Sequence, residues 1–126
     1  MAHPVARPTP VSEGAVVTKA VLRAASRLGV SNRALSSIVG LSEASVSRMS
    51  SGAYVLAPGE KAFELAVLFL RLFRALDAIV HGDETVARAW LRNENTALGG
   101  PPLTTIQSIP GLVNAVAYLD ARRALV

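Results

Sequence analysis

Apolar residues recur every three or four positions at the start of the chain: Val16, Ala20, Val21, Ala24, Ala25 and Leu28 share one face of a helix. Ser12 stands where an N-cap is wanted and Gly29 where the helix must stop. Lys19, Arg23 and Arg27, spaced by four, form a basic ridge along it. Shorter periodic segments follow. Ser31 and Gly40 bracket Asn32–Val39, and Ser42 and Gly52 bracket Glu43 to about Ser50. Helices of about two turns do not hold in water by themselves, so both must pack on the first. Tyr54 to Gly59 is a connection, with Pro58 and Gly59 as breakers. Glu60 to Val80 reads as the longest helix. Leu65, Leu68, Leu72, Leu76 and Ile79 make one apolar row, widened by Phe69, Phe73 and Val80. So narrow a polar stripe predicts burial on more than one side, as the centre of the fold and as a dimer interface too. His81-Gly82 ends it, and Asp83 caps a fifth helix over Glu84 to about Arg92. A turn-rich link from Asn95 to Pro102 leads to two short helices, around Leu103–Ser108 and Leu112–Leu125, divided by Pro110-Gly111. No strand pattern and no internal repeat occurs, so the expected fold is all-α.

Composition sharpens this picture. The 126 residues are 51% apolar and 17% charged, enough to bury a core in one domain or two very small ones. Ala, Leu and Val carry the apolar content, which favours helix. With no cysteine there is no disulfide, thiolate metal site or cysteine nucleophile, in keeping with a reducing cytoplasm. The most apolar stretch, Leu65 to Leu70, is far shorter than the about 20 residues that span a bilayer. Met1 to Val11, with Pro4, Pro8 and Pro10, reads as a flexible arm and not as a signal peptide; its Arg7 has the chemistry to reach a DNA backbone or minor groove. The net charge of +4 is placed unevenly. Up to Gly59 there are six cations against two acids; from Glu60 on there are seven of each. The whole excess lies in the first half, which suits a polyanion partner there and another task beyond.

The basic half carries a motif. Over Asn32 to Ser51 the helix-turn-helix pattern wants a small residue in its first helix, Gly at the turn and aliphatic residues where the second helix packs. Ser36, Gly40, Val46 and Met49 take those places, with Leu35, Val39 and Leu41 completing the cluster. In that geometry the second helix lies in the major groove. Ser42, Glu43, Ala44, Ser47, Arg48 and Ser51 would face the DNA, with Arg33 nearby. Arg48 has the donors for a phosphate or for guanine, Glu43 can accept from cytosine, and the serines can donate to phosphates.

The neutral half has another pattern: Trp90-Leu91, Asn95, Leu98-Gly99-Gly100, Pro102-Leu103 and Gly111. It resembles the toxin-binding domain of the Xre/MbcA/ParS antitoxins, and the run Ser45 to Gly52 is similar to the recognition-helix end of that family's Xre-type helix-turn-helix. The resemblance covers about residues 15–126. It implies an all-α antitoxin of a type II system with four parts: an arm (1–11), a helix-turn-helix region (12–59), a central and dimerisation helix (60–82) and a toxin-binding domain (83–126). It further implies a partner toxin of the RES type, which acts on NAD and is inhibited by covering its NAD site. Repression of the antitoxin's own operon as a dimer, and a higher-order toxin–antitoxin complex, are implied too. Taken by themselves, Trp90 and Leu91 suit a small core, Asn95 a turn cap, Gly99-Gly100 a tight turn and Pro102 a helix start. The expected contact surface is the last helix and tail: Tyr118, Asp120, Arg122, Arg123 and Val126. For Arg122-Arg123 two readings stand, an interface anchor or a solvated helix end where cations suit the dipole.

Nothing here calls for catalysis. The two histidines are His3, in the arm, and His81, at a helix end; Gly99-Gly100 runs into Pro101-Pro102, which lack the N–H donors of a phosphate loop. The acidic pair Asp83-Glu84 is accounted for by a helix start. No cofactor and no metal are expected. The alternative function is a stand-alone Xre-type repressor whose second half serves dimerisation only.

Overall fold

Side-chain caps decide where the helices begin. In the computed structural model, which describes residues 12–125, the hydroxyls of Ser12, Ser31, Ser42 and Ser108 and the carboxylate of Asp83 each accept the backbone N–H three residues on. They open α1 (Glu13–Leu28), α2 (Asn32–Val39), α3 (Glu43–Ser51), α7 (Ile109–Arg123) and α5 (Glu84–Arg92) in turn. Each such bond satisfies one of the donors a helix start leaves unpaired, for about 1 kcal/mol. The other two helices, α4 (Lys61–Ile79) and α6 (Pro102–Thr105), start without a side-chain cap. Gly40 closes α2 with φ 72°, a conformation that a residue bearing Cβ adopts at a cost, and its N–H returns to the Ser36 carbonyl. The described residues are all-helical.

α4 is the centre. α1, α2, α5 and α7 all pack on it, α7 most extensively. Phe69, Leu72, Leu76, Ala66 and Ala75 are sealed from solvent, and one core runs from Val21 on α1 through α4 to Leu119 on α7. Each fully buried Leu or Phe contributes about 1.5–3 kcal/mol relative to exposure. The helix-turn-helix cluster belongs to the same core through Leu35, Val39, Val46 and Met49. Leu68, Phe73, Ile79 and Val80 are only half-buried. No helix among the described residues is long and apolar enough to cross a membrane.

Three expectations are corrected. Val16 does not lie on the buried face of α1 but is 54% exposed; the buried stripe is Gly14, Thr18, Val21, Ala24, Ala25 and Leu28. Thr18 fits there because its hydroxyl is spent twice, donating to the Gly14 carbonyl at 2.7 Å and accepting from Leu56 N–H at 2.9 Å. The same contact needs Gly14, where a Cβ would collide with the Leu56 carbonyl. Second, Pro110-Gly111 does not divide the last two helices. Both sit in the first turn of α7, where proline's missing N–H costs nothing, and the break falls at 106–108. Third, Glu84 does more than suit a helix dipole, because it pairs with Arg27 at 2.9 Å. Arg7 and the rest of 1–11 lie outside the described residues.

Candidate functional site

The motif in the basic half folds around its small residues. Ser36 is buried, and its hydroxyl donates to the Arg33 carbonyl at 2.6 Å, so the polar group stays satisfied inside the α2–α3 contact. Val46 and Met49 turn inward. That leaves Glu43, Ala44, Ser47, Arg48 and Ser51 exposed on the outer side of α3, with Ser42 exposed at its cap. Arg33 is exposed on α2. Neither Arg33 nor Arg48 makes an ion pair among the described residues. Ser45, which sequence reasoning passed over, is the hub of this surface. It is 9% exposed; its hydroxyl accepts from Ser42 Oγ at 2.9 Å and from Arg48 Nη2 at 3.1 Å. One of the five guanidinium donors of Arg48 is thus tied down along α3, and the others remain for an outside acceptor.

At the other end of the chain, side chains from α5 and α7 gather around Tyr118. The Trp90 and Tyr118 rings lie 6.4 Å apart at 25°, and the Arg122 guanidinium lies over the Tyr118 ring, 4.5 Å from its centroid. Trp90 is half-buried here, and Leu91 beside it is sealed in the core. The link below is built by the motif residues. Asn95 accepts the Leu98 N–H on its side chain at 3.2 Å and the Gly100 N–H on its carbonyl at 3.1 Å. Pro102 is buried as the first residue of α6, while Leu98 and Leu103 pack against the core from its edge. Gly111 lies so close to the Thr105 carbonyl that no Cβ would fit. Of the expected contact residues, Asp120 is engaged with Arg71 of α4 at 3.0 Å and ties α7 down. Arg123 is exposed next to Arg122, and Val126 lies outside the described residues.

Between the two surfaces is a junction that no sequence signal announced. Arg88 of α5 donates to the carbonyls of Ser26 and Arg27, and Arg92 donates to those of Leu28 and Gly29, over 2.7–3.3 Å. Two arginines of the neutral half thereby supply donors to the carbonyls at the end of α1, of which that of Ser26 also accepts the Gly29 N–H at 3.1 Å. Arg27 answers in the other direction, to Glu84 at 2.9 Å and Asp77 at 3.4 Å, and its guanidinium lies 5.1 Å from the Phe73 centroid. The basic ridge on α1 therefore reduces to Lys19 and Arg23.

Comparison with protein families places both surfaces. Residues 8–71 match the antitoxin Xre-like helix-turn-helix domain, and residues 75–124 match the antitoxin Xre/MbcA/ParS C-terminal toxin-binding domain. Among curated proteins no match was found. The exposed face of α3 thus belongs to a DNA-binding domain and the Trp90–Tyr118–Arg122 stack to a toxin-binding one, and the chain belongs to the Xre/MbcA/ParS family of antitoxins.

Proposed function

We propose that this antitoxin neutralises a RES-domain toxin by occluding its NAD site and, as a cytoplasmic homodimer of a type II system, represses its own operon. The observation that carries the reading is the Trp90–Tyr118–Arg122 stack inside the region that matches a toxin-binding domain. Stacked aromatics with an arginine are the anchors on which protein interfaces spend most of their energy. A guanidinium lying on a ring keeps its edge donors free for a carboxylate or in place of a charged substrate group. Arg123 and Leu125, the latter 87% exposed, extend this surface beyond the stack. In this reading 83–126 faces the toxin and 12–59 the operator, and the helix at 60–82 joins them. Arg33, Ser42, Glu43, Ala44, Ser47, Arg48 and Ser51 meet the DNA. Two such heads, one per chain, suit a two-fold operator.

The test is toxin-catalysed NAD consumption, with the adjacent gene's product as the toxin, titrated with antitoxin variants. Removing residues 122–126 keeps the Asp120–Arg71 pair and should restore NAD consumption while leaving operator binding unchanged. Arg122→Ala/Arg123→Ala should weaken inhibition by about 2–5 kcal/mol, the cost of cutting a buried charge pair. Glu94→Ala is the control, since Glu94 is exposed and unpaired among the described residues; Glu84, held by Arg27, would be a poor one. Full inhibition by the truncated chain would move the inhibitory surface to Trp90–Leu103.

A further inference from the structure

α1 meets its neighbours on two flanks. On one, Lys19 and Leu22 line a hollow toward the end of α3; on the other, Ala20 and Ala24 face α4 across a cleft of about 170 Å³. Leu70 and Phe73 of α4 complete an apolar lining there. Among the described residues, every charged group lining that cleft is an arginine: Arg23 and Arg27 from α1, Arg74 from α4. The three are not alike. Arg27 is answered by Asp77 at 3.4 Å and Glu84 at 2.9 Å. Arg23 and Arg74 are exposed and pair with no acid among the described residues. Two uncompensated guanidinium groups, brought to one opening by different helices, make a local field that draws an anion.

We propose that the α1–α4 cleft binds a small phosphate monoester, with its phosphate between Arg23 and Arg74 and its organic part on the apolar lining. Charge and shape choose the anion. A carboxylate carries one charge, and a single guanidinium fork occupies both its oxygens. Two unpaired arginines match a dianion, and a phosphate monoester near pH 7 carries about −1.5 to −2 charge on three acceptor oxygens. Each diester of a nucleic acid backbone carries only one negative charge. Ala24 and Leu70 are buried and Phe73 half-buried, so the ester group finds carbon beneath it that an inorganic ion would leave unused. Arg27, fixed by its two acids and lying 5.1 Å from the Phe73 centroid, walls the cleft with its charge already spent. The site is distinct from the outer face of α3 and from the Trp90–Tyr118–Arg122 cluster, and it stands whether or not the toxin and operator readings hold. An ester held there ties α1 to α4 and stabilises the folded chain by linkage.

Isothermal titration calorimetry of the full chain at low salt, where screening is weak, tests it with phenyl phosphate, phenyl sulfate and inorganic phosphate as probes. Phenyl phosphate should bind once per chain. Arg23→Ala and Arg74→Ala should each weaken it about tenfold, the loss of one charge-assisted contact. Lys61→Ala, which removes an exposed cation from the start of α4, should leave it unchanged. Phenyl sulfate, with one charge, and inorganic phosphate, without the ring, should both bind less tightly. Circular dichroism confirms that the variants stay helical. Equal weakening by Lys61→Ala would reduce the binding to diffuse attraction and overturn the site. Phenyl sulfate as tight as phenyl phosphate would overturn the dianion, and inorganic phosphate as tight would overturn the role of the apolar lining. A phosphoserine peptide that binds far more tightly than phenyl phosphate would overturn the small ester in favour of a protein partner. Neither heat of binding nor a rise in melting temperature at millimolar phenyl phosphate would remove the site altogether.

Discussion

Arg48 shows how little a recognition helix needs to charge itself if the charge is held in place. Ser42 caps α3, Ser45 receives the Ser42 hydroxyl and the Arg48 guanidinium, and Ser51 donates back to the Arg48 carbonyl at 3.0 Å. The serine-rich run thus works as an internal scaffold, with fewer hydroxyls free for phosphates than their number suggests. Arg48→Ala should lower operator affinity by about 1–3 kcal/mol, and Ser45→Ala, which frees the guanidinium and the Ser42 hydroxyl but keeps the charge, by less. A gel shift or anisotropy titration at fixed salt measures both, and an Arg48→Ala protein that binds as tightly as wild type would shift the contact to Arg33 or to Lys19 and Arg23. The inward residues of this motif were legible in the sequence because helical periodicity and glycine placement are local signals: Val46, Met49, Ser36 and Gly40 all sit where spacing puts them. Ser45 was not legible. At its position a serine reads as one more polar residue until Arg48 is seen folded over it.

Helix starts and most helix ends were legible for the same local reason, since a Ser or Asp cap and a following Gly are written within a few residues of each other. The exceptions teach the same lesson from the other side. Val16 looked buried and is exposed, because Gly14 and Thr18 were needed inward against Leu56, a contact across the connection that no window along the chain contains. Pro110 looked like a break and is a first-turn residue, because Ser108 caps the helix ahead of it. The docking of α5 on α1 was invisible altogether, since it joins arginines to carbonyls more than sixty residues away. Arg88→Ala/Arg92→Ala should lower stability by about 1–3 kcal/mol, a figure already discounted because these bonds are largely exposed. Urea unfolding measures it as a lower midpoint at unchanged slope. An unchanged midpoint would make the clasp ornamental.

At the scale of the molecule, α4 leaves little room for independence. Its buried side chains meet α1, α2, α5 and α7 at once, so the helix-turn-helix and the region that matches a toxin-binding domain share one core. Heat or denaturant should therefore unfold both together. Fluorescence of Trp90, the chain's sole tryptophan and far from α3 in sequence, should give the same midpoint as helical circular dichroism. Two separated transitions would mean two folding units. The clasp between α5 and α1 bears on how such a molecule diversifies. Arg88 and Arg92 grip carbonyl oxygens, which every amino acid supplies alike, and not side chains; the side chain in the junction is that of Arg27, which pairs with Glu84. Mutation can rewrite the exposed face of the first helix without loosening the carbonyl part of that joint, so long as Arg27 is kept and the helix stops at the same place. A joint of this kind constrains where the first helix ends far more than which residues it shows to solvent.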